Sequence, residues 1–254
     1  MRFDKFVKSV APAIAMAMAS GAKGCESSSF TFNGKEGVRL SELDLSGDAP
    51  DEVNLMGSDI VRIEEGEDFS IALEGDDEAK ERMRFIVDGG TLSVLRDRSE
   101  DWGDGGRATV TVTMPAPRRL VLAGSGKLYS AALASEAEIA IAGSGKLETH
   151  GIDVEVLEVS IAGSGSYRAS GRAGTLDLNI AGSGDAKLKH LHVDRANVSI
   201  AGSGDASFAS DGKVDACLMG SGNVTVRGAA TCKVKGFGSG SLTCKRSAEV
   251  GDDE

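Results

Sequence analysis

Aromatic side chains are scarce in this chain. They make up 4% of its 254 residues, with one Trp and two Tyr. A thin core of Ile, Leu, Val and Ala fits such a composition better than a core built on rings. Proline is scarce too, with four residues against 34 Gly. Gly at that level without Pro or a collagen period excludes a collagen-like helix and points to many tight corners. Three His and four Cys leave little room for a dedicated zinc site. No run of 18 apolar residues occurs, which argues against a conventional membrane-spanning helix. Cationic excess is absent: the formal net charge is -11, which excludes nucleic acid and anionic lipid as main partners. What remains is 41% apolar residues, enough for a folded body of one or two domains.

The first residues read as a secretory signal peptide, expected over 1–24. Arg2, Lys5 and Lys8 form a basic start, Val10 to Ala19 a short apolar stretch, and small residues follow. Ala17-Met18-Ala19 and Ser20-Gly21-Ala22 both have the small-x-small form of ordinary cleavage. Ala22-Lys23-Gly24-Cys25 resembles a bacterial lipoprotein box, although Ala22 and Lys23 depart from its usual residues. Cys25 is the expected lipid-attachment residue, with a Ser-rich tether over 25–36; an ordinary thiol near a cut site is the alternative. The removed segment carries a net +3, which leaves the remainder near -14.

Internal repetition decides the architecture. Gly-Ser-Gly begins at 124, 143, 163, 182, 202, 220 and 238, at intervals of 18 to 20 residues. Four residues before each first Gly stand Leu120, Ile139, Val159, Leu178, Val198, Ala216 and Val234. Four residues after it stand Leu128, Leu147, Tyr167, Ala186, Ala206, Val224 and Leu242. Apolar residues alternate with small or polar ones around each corner, the period of a strand with one buried face. A single repeat cannot bury that face, but stacked coils can. The expected fold is therefore all-β: a β-solenoid, or parallel β-helix, of about seven 18–20-residue coils over 118–246. The exposed Ser of each corner is expected to stack and to bond its neighbours and the corner backbone. An N-terminal β-strand capping region is expected over 37–117, with a hairpin turn at Asp88-Gly89-Gly90, a degenerate corner at Leu55-Met56-Gly57-Ser58 and one helical turn between Asp76 and Arg84. Residues 247–254 form an acidic tail.

From about Val38 to Cys244 the chain resembles the head GIN domain family, described as putative auto-transporter adhesins of bacterial envelopes. The resemblance rests on Ile60-Val-Arg-Ile-Glu-Glu-Gly, Phe69-Ser-Ile-Ala-Leu-Glu-Gly-Asp, Asp88-Gly-Gly-Thr-Leu-Ser-Val, Val110-Thr-Val-Thr-Met-Pro and the serial Ala-Gly-Ser-Gly corners. It implies an exported solenoid-like fold and brings no catalytic motif with it.

Cys232 and Cys244 lie six residues either side of Gly238. If the chain doubles back there, they form a disulfide, provided the coil is narrow at that end. Cys217 falls on an outward position and stays free.

The sequence completes none of the familiar catalytic constellations. Lys127 and Lys146 follow Gly-Ser-Gly, but the upstream Gly and the downstream Ser or Thr of a phosphate loop are missing. His190 and His192 are too far along the chain from Ser183 for a triad and are expected in an exposed loop, as is His150. The Asp185 position is not Asp in every coil, which excludes a calcium-binding β-roll. Trp102 lies in an acidic Gly-rich loop and is expected to pack there. The expectation is a non-enzymatic exported protein of the periplasm, outer membrane or cell surface. It would have no catalytic residues, no metal and no cofactor. It would be adhesin-like or structural, with an envelope or surface component, protein or glycan, as partner. Membrane contact would come only through a lipid on Cys25. The rival reading is a polysaccharide-binding or polysaccharide-active β-helix.

Overall fold

The computed structural model describes residues 31–32, 35–97 and 106–245. The expected signal segment, Cys25, most of the tether, Trp102 and the acidic tail lie outside the described residues.

In chain order, a two-residue hairpin comes first, β1 (Thr31–Phe32) with β2 (Lys35–Glu36), followed by a single 3-10 turn at Leu40–Glu42. Next come β3 (Glu52–Gly57), β4 (Ile60–Glu65), β5 (Ser70–Gly75), the short helix α1 (Asp77–Arg82), β6 (Met83–Asp88), β7 (Thr91–Arg96) and β8 (Ala108–Met114). The repeats supply β9 (Arg119–Gly124), β10 (Lys127–Ser130), β11 (Glu136–Gly143), β12 (Lys146–Gly163), β13 (Ser166–Gly182) and β14 (Asp185–Gly202). They end with β15 (Ala206–Ala209), β16 (Lys213–Gly220), β17 (Val224–Arg227), β18 (Thr231–Gly238) and β19 (Leu242–Lys245).

The repeats wind a β-solenoid of parallel coils. Each Gly-Ser-Gly corner turns the chain from one column of strands to a second, and each strand pairs with its equivalent one coil on. Ile161, Ile180 and Ile200 stack in the first column; Leu147, Tyr167 and Ala186 stack in the second. The alternating apolar residues turn inward and are buried through the inner coils, while Val234 and Leu242 of the last coil are less covered. Each fully buried Val, Leu or Ile contributes about 1.5–3 kcal/mol relative to exposure, so the row, rather than any one coil, holds the fold.

The corner explains its glycines. Gly182 has φ +118, and a Cβ built on it would sit 2.5 Å from the Gly163 carbonyl oxygen of the coil below. A Cβ on Gly184 would meet both the Gly165 oxygen and Ile161 Cγ2 at 2.6 Å. Neighbouring corners touch backbone to backbone: the Ser183 N–H donates to the Gly163 carbonyl at 2.9 Å, and the Ser203 N–H to Gly182 at 2.9 Å.

The chain's return from the second column to the first makes a third, short face in the middle coils. Ile152 to Val154 pair with Gly171 to Ala173, which pair with Leu191 to Val193. Ile152, Val154, Ala173, Leu191 and Val193 are buried there. The last coils lack this face: β15 is followed at once by the turn Ser210–Gly212 and by β16. That is why the intervals fall from 19 or 20 residues to 18.

The N-terminal region is more than the expected cap. β3 pairs in parallel with β9 and β4 with β10, and the Gly57 corner stacks under Gly124. On their other edges β3 pairs in parallel with β7 and β4 with β8. Two further coils thus extend the solenoid, in an order the chain does not follow: the β7–β8 coil lies outside the β3–β4 coil. Capping is left to the outermost layer. There β6 joins β7 and β5 joins β8, both antiparallel, while α1 closes the end of the core with buried Ala79. The β6–β7 link is the expected hairpin, with Gly89 and Gly90 both at positive φ, as a two-residue turn of this type requires.

Candidate functional site

The corner serines Ser125, Ser144, Ser164, Ser183, Ser203, Ser221 and Ser239 are all exposed and form one row along the solenoid. The corner backbone bonds run N–H to C=O. Between hydroxyls, the one corner contact among the described residues is Ser221 Oγ to Ser239 Oγ at 3.1 Å. Strands about 4.8 Å apart hold equivalent hydroxyls beyond bonding distance unless the side chains lean together. The expected hydroxyl ladder is therefore confined to the last two corners, and the other serines offer free donors and acceptors to solvent.

Beside this row, the residues after the last three corners, Asp205, Asn223 and Ser241, bond between coils. Asn223 Nδ2 donates to Asp205 Oδ1 at 3.2 Å, and Ser241 Oγ donates to Asn223 Oδ1 at 2.8 Å. Two residues on, Arg62 lies over the Tyr129 ring at 5.0 Å and Arg168 approaches Glu148 at 3.6 Å. On the first column Glu138 meets Arg119 at 3.2 Å. Burial pushes the Glu138 carboxyl above its ordinary range; Glu158 and Glu52 add to this and Arg119 opposes it. A shallow depression of about 150 Å³ lies at the Gly57 and Gly124 corners, lined by Met56, Ser58, Arg96 and Ser125.

The interior holds polar groups that composition gave no sign of. Tyr167 is fully buried, and its hydroxyl bonds Thr149 Oγ1 at 2.8 Å. Burial raises the Tyr167 phenol above its ordinary value, against the opposing effect of Thr149. Asp59, buried after the Gly57 corner, pairs with Arg96 and accepts the Ala108 N–H at 3.0 Å. Arg96 also donates to the Gly106 carbonyl at 2.9 Å. These contacts lock the β3–β4 coil to the β7–β8 coil. The Gly-Ser-Asp order at 57–59 is the only sequence signal for it.

The singled-out residues fall as follows. Cys232 and Cys244 are joined by a disulfide with their Cα atoms 6.7 Å apart, and Cys217 is a free, exposed thiol. His150 and His190 are exposed. His192 lies within β14, half-buried, with Nε2 3.7 Å from Asp211. Both His190 and His192 stand on the return side of the coil, away from the serine row. Among the described residues no group of three or more His, Cys, Asp or Glu could hold a metal ion.

The family model for the head GIN domain, described as putative auto-transporter adhesin, matches residues 49–230. The chain belongs to this family. A solved structure described as a putative adhesin from Bacteroides fragilis has the same fold, with TM-score 0.72, 19% identity, and coverage of 83% of this chain and 100% of that one. A putative lipid binding protein from Parabacteroides distasonis matches with TM-score 0.63 and 22% identity, over 78% of this chain and 93% of that one. A putative adhesin from Parabacteroides merdae matches with TM-score 0.60 and 19% identity, over 78% and 92%. No curated protein matches the sequence. The head GIN domain is thus an adhesin-like solenoid, and the coils from β3 to β17, including those before residue 118, lie within the matched range.

Proposed function

We propose that this head GIN protein is a non-enzymatic, exported envelope protein that presents its serine row and the adjoining polar ladders to a surface component. The observation that carries this reading is the row itself: seven corners of one chemistry, all exposed, repeating at the coil spacing. Equivalent hydroxyls at a fixed interval suit a partner that is itself extended and repetitive, such as a glycan or a β-rich protein, more than a single small substrate. The basic start, the apolar stretch and Cys25 support export and lipid attachment. The test is attachment and cell aggregation in a deletion strain, complemented with the parent or with Ser144, Ser164, Ser183 and Ser203 all changed to Ala. Loss in the deletion, and no rescue by the protein lacking these four serines, is expected. Unchanged attachment and envelope integrity in the deletion would refute the reading. Lipid labelling of the parent and of Cys25→Ala tests the anchor: label is expected in the first and not the second.

A further inference from the structure

The two ends of the solenoid differ in a way that the adhesin reading does not use. At the C-terminal end the stack stops without a cap among the described residues: β18 pairs only with β16, and β19 only with β17. Val234 occupies a core position whose equivalents in six earlier coils are at most 6% exposed, yet it is itself 52% exposed. Phe237 beside it is 85% exposed. Residues 228–245 contain Lys233, Lys235 and Lys245 and no acidic residue, in a chain with 39 Asp and Glu. At the opposite end β5 pairs only with β8, and its outer edge carries no strand among the described residues. That end is acidic: residues 64–78 hold Glu64, Glu65, Glu67, Asp68 and Glu74 among others, and no Lys or Arg.

We infer that the open C-terminal coil docks on the β5 edge of a second copy of this chain, head to tail. Register supports the match. Through the second column Leu242 stands in line with Val224, Ala206, Ala186, Tyr167, Leu147, Leu128, Val61, Val110 and finally Leu73 of β5. A coaxial copy therefore sets Leu242 against Leu73. Three residues on, Lys245 reaches the level of Glu64 and Ser70, next to Asp68. β5 runs antiparallel to its column, so the new pair is an antiparallel ladder. The first column does not compete, because Val38 already bonds the outer edge of β6 at Phe85, at 3.0 and 2.8 Å.

Lysines on an edge strand usually block association. Here they repel another basic end and so reject tail-to-tail pairing, while they attract the acidic cap. A heterologous contact of this kind does not close and grows into chains.

The test uses the full chain with Cys25→Ser and Cys217→Ser, so that neither lipid nor a stray thiol links copies. In sedimentation at low salt, the weight-average mass is expected to rise with concentration past the dimer, and to fall as salt screens the contact. Two charge-reversed proteins are then compared: Lys233→Glu/Lys235→Glu/Lys245→Glu, and Glu64→Lys/Glu65→Lys/Glu67→Lys/Asp68→Lys/Glu74→Lys. Each alone is expected to stay monomeric, because its two ends then carry like charge. Their equimolar mixture is expected to associate at least as strongly as the parent, since it restores opposite charges at the contact. Circular dichroism checks that both fold. Association of the second variant alone would assign a tail-to-tail contact and overturn the proposal. Association of the parent only after removal of residues 246–254 would assign the open end to the chain's own acidic tail and overturn it equally. A parent that stays monomeric at all concentrations does the same.

Discussion

Replacing Gly182 by Ala probes the corner directly. Two terms add. The backbone at φ +118 lies where L side chains are rarely found, a strain of about 1–3 kcal/mol. The new Cβ also stands 2.5 Å from the Gly163 oxygen. That oxygen cannot retreat without losing the Ser183 N–H bond at 2.9 Å, and overpacking of this kind costs about 1–3 kcal/mol. The expected loss is about 4 kcal/mol, or a fall of about 10 °C in Tm for a body of this size. Two companions separate the terms. Gly184→Ala meets the Gly165 oxygen and Ile161 Cγ2 without positive φ, so it should lose only the packing part, about 1–3 kcal/mol. Ser183→Ala keeps the corner backbone bonds and should stay within about 0.5 kcal/mol of the parent. Thermal and urea unfolding followed by circular dichroism read all three. A Gly182→Ala protein that melts within about 2 °C of the parent, or a Ser183→Ala protein that loses as much as Gly182→Ala, would refute the view that the glycines, not the serines, hold the corner.

Reduction of the Cys232–Cys244 bond should lower the unfolding free energy of the last coil by about 3 kcal/mol, from the loop entropy of a closed segment of this length; hydrogen exchange of β18 and β19 with and without reductant checks it, and equal exchange in both would count against the bond. Tyr167→Phe should cost about 1–3 kcal/mol by leaving Thr149 Oγ1 buried without its partner, whereas Tyr167→Phe with Thr149→Val should be nearly neutral by urea unfolding. Because the folded Tyr167 phenol is raised above its ordinary value near 10, its contribution is whole below about pH 10 and declines as pH rises through the folded value. Phenolate absorbance should then show Tyr167 ionising only on unfolding. Asp59→Ala should cost about 3–5 kcal/mol by leaving Arg96 and the Ala108 N–H without their shared acceptor, and limited proteolysis should find β7 and β8 released first.

The solenoid was legible because its cause is periodic. Leu120, Ile139 and Val159 recur with the corner, and period-two alternation around a fixed turn admits few other packings. The outer coils were not legible in the same way. Leu92 and Val94 alternate as well as Leu120 and Leu122 do, but no Gly-Ser-Gly joins β7 to β8, so nothing in the pattern says that they stack under β3 and β4. A chain that returns to an earlier level leaves no mark in spacing. The Asp59–Arg96 lock was missed for a related reason. Its partners lie 37 residues apart, and only burial distinguishes them from the many exposed carboxylates and cations. Val234 sits at the inward position of its repeat, and its exposure reflects its place in the last described coil, which pairs on one side only.

The taper of the coils ties the disulfide to the open end. Facing sheets in a layered protein stand about 10 Å apart, too far for a bond that needs Cα atoms within about 7 Å. In the middle coils the third face adds the buried side chains of Leu191 and Val193 to the core. The last coils drop that face, and β18 and β19 close to 6.7 Å at Cys232 and Cys244. A terminal coil has a neighbour on one side only, so its inward residues, Val234 and Leu242, gain less from burial than those of any inner coil. A covalent link across the coil offsets that loss without needing a further layer. It also holds β19 rigid as an edge, which lowers the ordering cost of any strand that docks there. Lengthening the Ser210–Gly212 turn by two residues should therefore raise the fraction of free thiol at Cys232 and Cys244 while leaving the inner coils folded; unchanged disulfide content would show that coil width does not govern the bond.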